Sequence, residues 1–174
     1  VVIFGWRGVL WDNLEVEFQA ILDVFHAYGV PVPDRDTYRK GRGADFAEFC
    51  YMNGLPRYVT RERITEIRKR AAIVHSEFLN LHYGAREILA MCLNRGLKTA
   101  IISKELTEII ENRLRQFDLA GLVNLVRGGA GRSTAPRGAV DKKEVLPWML
   151  QFFGAEPAEA IFVEDTSDGL AAAK

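Results

Sequence analysis

The chain has 174 residues, is 48% hydrophobic and 26% charged, and carries a formal net charge of zero. That length supports a core burying roughly two-thirds of the unfolded surface, and zero net charge argues against a dominant nonspecific grip on nucleic acid. No apolar run reaches the ~20 residues needed to span a bilayer, and the opening residues do not form a signal peptide. The expectation is a soluble, cytoplasmic protein with no membrane contact.

Val1 to Phe4 is a short apolar run bounded by Gly5 and Gly8, which reads as a buried strand entering a loop. Asp12 stands three residues before Glu15 as a possible capping box, with Asn13 an alternative cap. The helix that follows carries Phe18, Ile21, Leu22 and Phe25 at helical spacing and ends near Gly29. From there to about Tyr83 no strand is expected. One helix is predicted over Asp45 to Asn53, and a longer one from Thr60 through Ile64, Ile67, Ala71, Val74 and Phe78.

The remainder alternates. Helices are predicted over Ala85 to Asn94, around Ile109 to Phe117, and from Asp141 to Phe153, with Gly154 closing the last. Strands are predicted over Lys98 to Ile102, Val123 to Val126 and Ala160 to Val163, and Gly128 to Ser133 reads as a flexible stretch. This alternation predicts an α/β fold, a Rossmann-like parallel sheet covered by helices, with a helical lobe inserted after the first strand. Right-handed crossovers place the working edge at the carboxyl ends of the strands.

Four stretches should meet at that edge: the loop after Phe4, Ser103-Lys104, Asp141-Lys142-Lys143 and Glu164-Asp165. Ser103 can donate to a phosphate oxygen, Lys142 can neutralise another as a point charge, and Asp165 with Glu164 can offer hard oxygens to magnesium. Each has a plainer reading. Ser103 can cap the next helix, Lys142 and Lys143 can be solvated first-turn residues, and Glu164-Asp165 can be a turn. His26 and His75 read as half-buried helix residues, and Trp6 and Trp11 as packing beside the first loop. Cys50 and Cys92 are expected reduced.

The segments Val1 to Asn13, Tyr83 to Leu89, Arg95 to Lys104 and Ile161 to Ala173 together resemble the haloacid dehalogenase-like phosphohydrolases. The branch is the one with a helical cap after the first strand, similar to phosphoglycolate phosphatases and β-phosphoglucomutases. The resemblance implies a core over residues 1–12 and 83–174 and a helical cap over 13–82, with the core stopping short of the family's final strand and helix. It implies Lys142 as the motif lysine, with Lys143 a neighbouring alternative, and Glu164-Asp165 as the acidic fourth motif. Lys104 stands where the family commonly has asparagine.

The resemblance also implies two aspartates in the opening loop, a nucleophile and a general acid–base. Here those positions hold Gly5 and Arg7. Gly5 cannot be phosphorylated or give a carboxylate to a metal, and Arg7 stays protonated. A catalytically degenerate chain with no catalytic residue is therefore expected, Gly5 and Arg7 being the degenerate positions, which leaves Ser103 and Lys142 as a phosphate-binding remnant and Asp165 with Glu164 as a weak metal site. The expected function is a binding or structural role, with a phosphate-containing small molecule or a protein as partner. No cofactor is expected, and Mg²⁺ enters only where activity or residual binding survives. The alternatives are a magnesium-dependent phosphohydrolase acting on a small phosphate ester and, third, a nucleic-acid-binding domain. Oligomeric state is not legible.

Overall fold

A computed structural model describes residues 1–41, 45–75, 80–129 and 140–173. The chain divides into two compact units, one of Val1–Trp11 with Leu81–Lys174 and the other of Asp12–Asn80.

The first unit is built on a four-stranded sheet of β1 (Val2–Gly5), β4 (Thr99–Leu106), β5 (Leu125–Gly129) and β6 (Ile161–Val163), in the order β5-β4-β1-β6. All pairings are parallel, with Val2 opposite both Thr99 and Ile161. β1 has a neighbour on each side, which is why its four residues are all buried and apolar apart from the terminal glycine. Helices α5 (Ala85–Asn94), α6 (Thr107–Gln116) and α7 (Lys142–Phe153) supply the crossovers, and α8 (Ser167–Ala171) follows β6. Ile3, Ala100 and Ile102 pack with Val140, Leu146 and Met149 of the α7 segment. Each fully buried aliphatic side chain of this kind contributes about 1.5–3 kcal/mol. The Rossmann-like α/β reading holds.

The strand after α6 lies further along than the sequence suggests. Thr99 Oγ1 donates to the Leu122 carbonyl at 2.7 Å, and Asn124 Oδ1 accepts from Thr99 N–H at 2.9 Å. These bonds tie residues 122–124 to the start of β4, so ladder pairing begins only at Leu125. Gly128 and Gly129, expected in a flexible stretch, are strand residues instead. β4 is irregular between Ile102 and Leu106, and a Cβ on Gly129 would sit 2.8 Å from the Lys104 carbonyl oxygen. Glycine is required there by close backbone approach. The rest of that stretch lies outside the described residues.

The second unit is helical: α1 (Leu14–Ala27), α2 (Arg35–Lys40), α3 (Phe46–Met52) and α4 (Arg61–Val74). Ile21, Val24, Phe25, Phe49, Leu55 and Ile64 form its core, in agreement with the helical spacing. α2 was not foreseen. Asp34 starts it by accepting the Thr37 N–H at 2.7 Å. Phe78 lies outside the described residues. Arg68 grips the buried Glu17 with two bonds, Nε to Oε2 at 3.0 Å and a terminal nitrogen to Oε1 at 2.8 Å. Burial works against the Arg68 charge, but the Glu17 carboxylate outweighs it and holds the guanidinium above its ordinary pKa.

Short strands β2 (Trp11–Asp12) and β3 (Asn80–Leu81) pair where the chain passes between the units; β3 falls in the stretch where no strand was expected. Asn13 occupies the cap position of α1 but makes no side-chain cap bond, and it is Asp12 Oδ1 that accepts from Leu14 N–H. His26 is exposed rather than half-buried, whereas His75 is partly buried with Nε2 3.1 Å from Asp23 Oδ2. Both cysteines are free and buried, and burial pushes the Cys50 thiol up to about 12. Among the described residues no helix is long and apolar enough to cross a membrane.

Candidate functional site

The carboxyl ends of β1 and β6 bring Gly5 and Glu164 together. Gly5 has no side chain, and the space beside it is filled by Glu164: a Cβ built on Gly5 would lie 2.7 Å from Glu164 Oε2 and 2.9 Å from a Val9 methyl. Gly169, in α8, leaves the other side open in the same way. A Cβ there would lie 2.5 Å from Glu164 Cδ. The glutamate side chain thus runs in a slot between two glycines and is only 3% exposed.

Both of its oxygens are engaged. Lys142 Nζ donates to Oε2 at 2.5 Å, and the Thr166 hydroxyl donates to Oε1 at 2.7 Å. Lys142 is itself largely covered and lies 5.7 Å from the centroid of the Phe162 ring. It is the first residue of α7, whose start is fixed by Asp141 Oδ1 accepting the Lys143 N–H at 2.9 Å. The lysine at this N-terminus opposes the helix dipole. The carboxylate opposite it compensates.

Lys142, Thr166 and Gly169 also line an open cleft of about 390 Å³, together with Lys104, Asp141 and Lys143. Three lysines around one cleft make it anion-seeking. Lys104, rather than Ser103, faces into it. Ser103 is buried in β4, where its Oγ accepts the Glu105 N–H at 3.1 Å, leaving the hydroxyl proton for another partner. Asp165 is exposed.

The loop after β1 is tightly wound. The Trp6 carbonyl accepts from Leu10 and Trp11 N–H groups, Trp6 and Trp11 are each 1% exposed, and their rings lie 6.0 Å apart. Packing is therefore their visible role. Arg7 Nε lies 3.8 Å from Glu105 Oε2, and its guanidinium sits 5.4 Å from the Trp11 ring centroid. Arg113 stacks on the same ring at 4.4 Å. Burial, with Arg7 adding repulsion, pulls the Arg113 pKa below its ordinary value despite Glu105.

Sequence reasoning named Lys142 and Glu164 and missed what joins them. It assigned Glu164 to a metal, whereas the structure puts it on Lys142 and in the side-chain space beside Gly5. Thr166 and Gly169 were read only as part of the acidic motif. A hydroxyl two residues after Glu164 and a glycine five after it were the available signals.

The haloacid dehalogenase-like hydrolase family model matches residues 2–174. The chain belongs to that family. It is 28% identical to the phosphorylated carbohydrates phosphatase of Thermotoga maritima, covering 99% of this chain and 79% of that protein. It is 26% identical to hexitol phosphatase B of Escherichia coli K12, over 99% and 78%. A haloacid dehalogenase-like hydrolase from Streptococcus pneumoniae shares the fold with a TM-score of 0.78 at 20% identity, covering 99% and 78%.

These relatives correct the expectation of a non-catalytic chain. Relatives aligned over 99% of its length are phosphatases, so the expectation that the chain is not an enzyme is not sustained. Gly5 and Arg7 bear only on the covalent carboxylate route to phosphorus, and a buried carboxylate and a lysine-lined cleft lie beside them.

The family implies magnesium, and the donor set here does not fit it. Mg²⁺ requires near-octahedral oxygen ligands at about 2.0–2.1 Å. Gly5 offers no side-chain oxygen, and Glu164 Oε2 is occupied by an ammonium at 2.5 Å. Among the described residues no group of three or more His, Cys, Asp or Glu side chains is placed to hold a metal.

Proposed function

We propose that the chain is a phosphohydrolase acting on a small phosphate ester, with Glu164 as its working carboxylate. The observation that carries this reading is the position of Glu164, buried between Gly5 and Gly169 beneath a lysine-lined cleft. The phosphatase relatives support the reaction class. Their names also make phosphorylated sugars and sugar alcohols the first substrates to try.

In this mechanism the phosphate group lies against Lys142, Lys104 and Lys143, which offset its charge and the charge that grows in the transition state. Water is the nucleophile. Its oxygen bonds to phosphorus as Glu164 takes its proton, the bond from phosphorus to the ester oxygen breaks, and the departing oxygen takes a proton from solvent, to which Glu164 afterwards returns its own. One ester and one water become one phosphate and one alcohol. Lys142 holds the carboxylate in place, and Thr166 fixes its rotation, so the base is oriented before substrate arrives.

Phosphate release from a panel of small phosphate esters tests this. The native chain should release phosphate, and Glu164→Gln, which keeps the shape and loses the base, should lower the rate by about 100-fold or more. No release from any ester by the native chain, or equal release by Glu164→Gln, would contradict the proposal.

A further inference from the structure

We infer that the Lys142 ammonium supplies the fixed positive charge of this centre, and that the centre handles phosphate esters without a divalent cation. The inference rests on the hydrolase reading and deepens it by naming what replaces the metal.

The first ground is spatial. Position 5 has no side chain to offer a carboxylate, and Glu164 fills the space beside it, with Oε2 2.7 Å from where a Cβ would stand. The second ground is occupancy. Oε2 is held by Lys142 at 2.5 Å and Oε1 by Thr166 at 2.7 Å, so each oxygen already has a donor of its own. A dication on Oε2 would have to displace the ammonium or lie in contact with it. The third ground is charge. Lys142 is 15% exposed and faces a carboxylate that is 3% exposed, so it is a positioned cation rather than a solvated one. Lys104 and Lys143 line the same cleft and add to it.

An ammonium does part of a metal's work here. It attracts the phosphate dianion and stabilises developing negative charge. It does not lower the pKa of a bound water, which is why Glu164 is needed as base. The two roles fall to two side chains in direct contact.

Calorimetric titration of the native chain with MgCl₂ and with MnCl₂ tests the inference without any reference to turnover. No saturable heat is expected through the millimolar range. Phosphate release should agree within about twofold between excess EDTA and excess Mg²⁺. Lys142→Ala should lower release by about 100-fold in both conditions. Saturable Mg²⁺ binding, or release that vanishes in EDTA and returns with Mg²⁺, overturns the inference and leaves hydrolysis standing. Unchanged release by Lys142→Ala overturns the role given to the ammonium. Absence of release in both conditions overturns the hydrolase reading instead, and the titration still decides the question of the cation.

Discussion

Glu164 owes its place to two residues that lack side chains. Gly5 and Gly169 flank it, and any Cβ at either position would press on its carboxylate. Gly169→Ala should therefore push the carboxylate out of line, costing about 1–3 kcal/mol as overpacking, and should lower phosphate release at the same time. Gly121→Ala is the control. A Cβ at Gly121 meets nothing within 4 Å, so its stability should stay within about 0.5 kcal/mol of native. Thermal unfolding of the two variants checks this, and equal melting temperatures would show that the slot does not constrain Glu164. The same residues explain why the site was only half legible. Lys142 and Glu164 are recognisable from their positions after predicted elements, but a glycine in place of an aspartate reads as a loss. Nothing in a one-dimensional pattern shows that the vacated space is filled by a residue about 160 positions later.

At the level of elements, the helical unit is held by its capping carboxylates. Asp45 Oδ1 accepts the Glu48 N–H at 3.0 Å at the start of α3 and pairs with Arg61 at 2.7 Å. The Glu48 amide, with Arg61 helping, holds the Asp45 carboxyl below its ordinary pKa, and Asp34 is lowered in the same direction by Thr37. A folded pKa below the unfolded value of 3.8 means that this stabilisation is present above pH 3.8 and is lost as pH falls through the folded value. Stability should therefore decline as pH drops below about 4. Asp45→Asn, which keeps an accepting oxygen, should flatten that decline, and Asp45→Ala should cost about 1 kcal/mol at neutral pH. Chemical unfolding at a series of pH values measures both. An unchanged slope in Asp45→Asn would assign the acid sensitivity to other groups. Helices with several inward apolar residues, such as α1, were visible from spacing. α2 buries only Tyr38 and so has no period to read. β5 was misplaced because Val123 and Val126 look strand-forming, whereas side-chain bonds from Thr99 and Asn124 delay pairing and the close approach of β4 turns two glycines into strand residues.

At the scale of the molecule, a parallel sheet gathers the ends of β1, β4 and β6 with the head of α7, and the chemistry proposed for this hydrolase-family chain lies within that one unit. In that chemistry water, not a protein carboxylate, attacks phosphorus. The family's covalent route would need a side-chain oxygen at position 5, which glycine does not have. The two routes differ in the stereochemistry at phosphorus, because direct attack by water is one in-line displacement and a covalent intermediate needs two. Hydrolysis of a sugar [¹⁶O,¹⁸O]thiophosphate ester of known configuration in H₂¹⁷O should give thiophosphate of inverted configuration; retained configuration, or no release at all, would contradict direct attack.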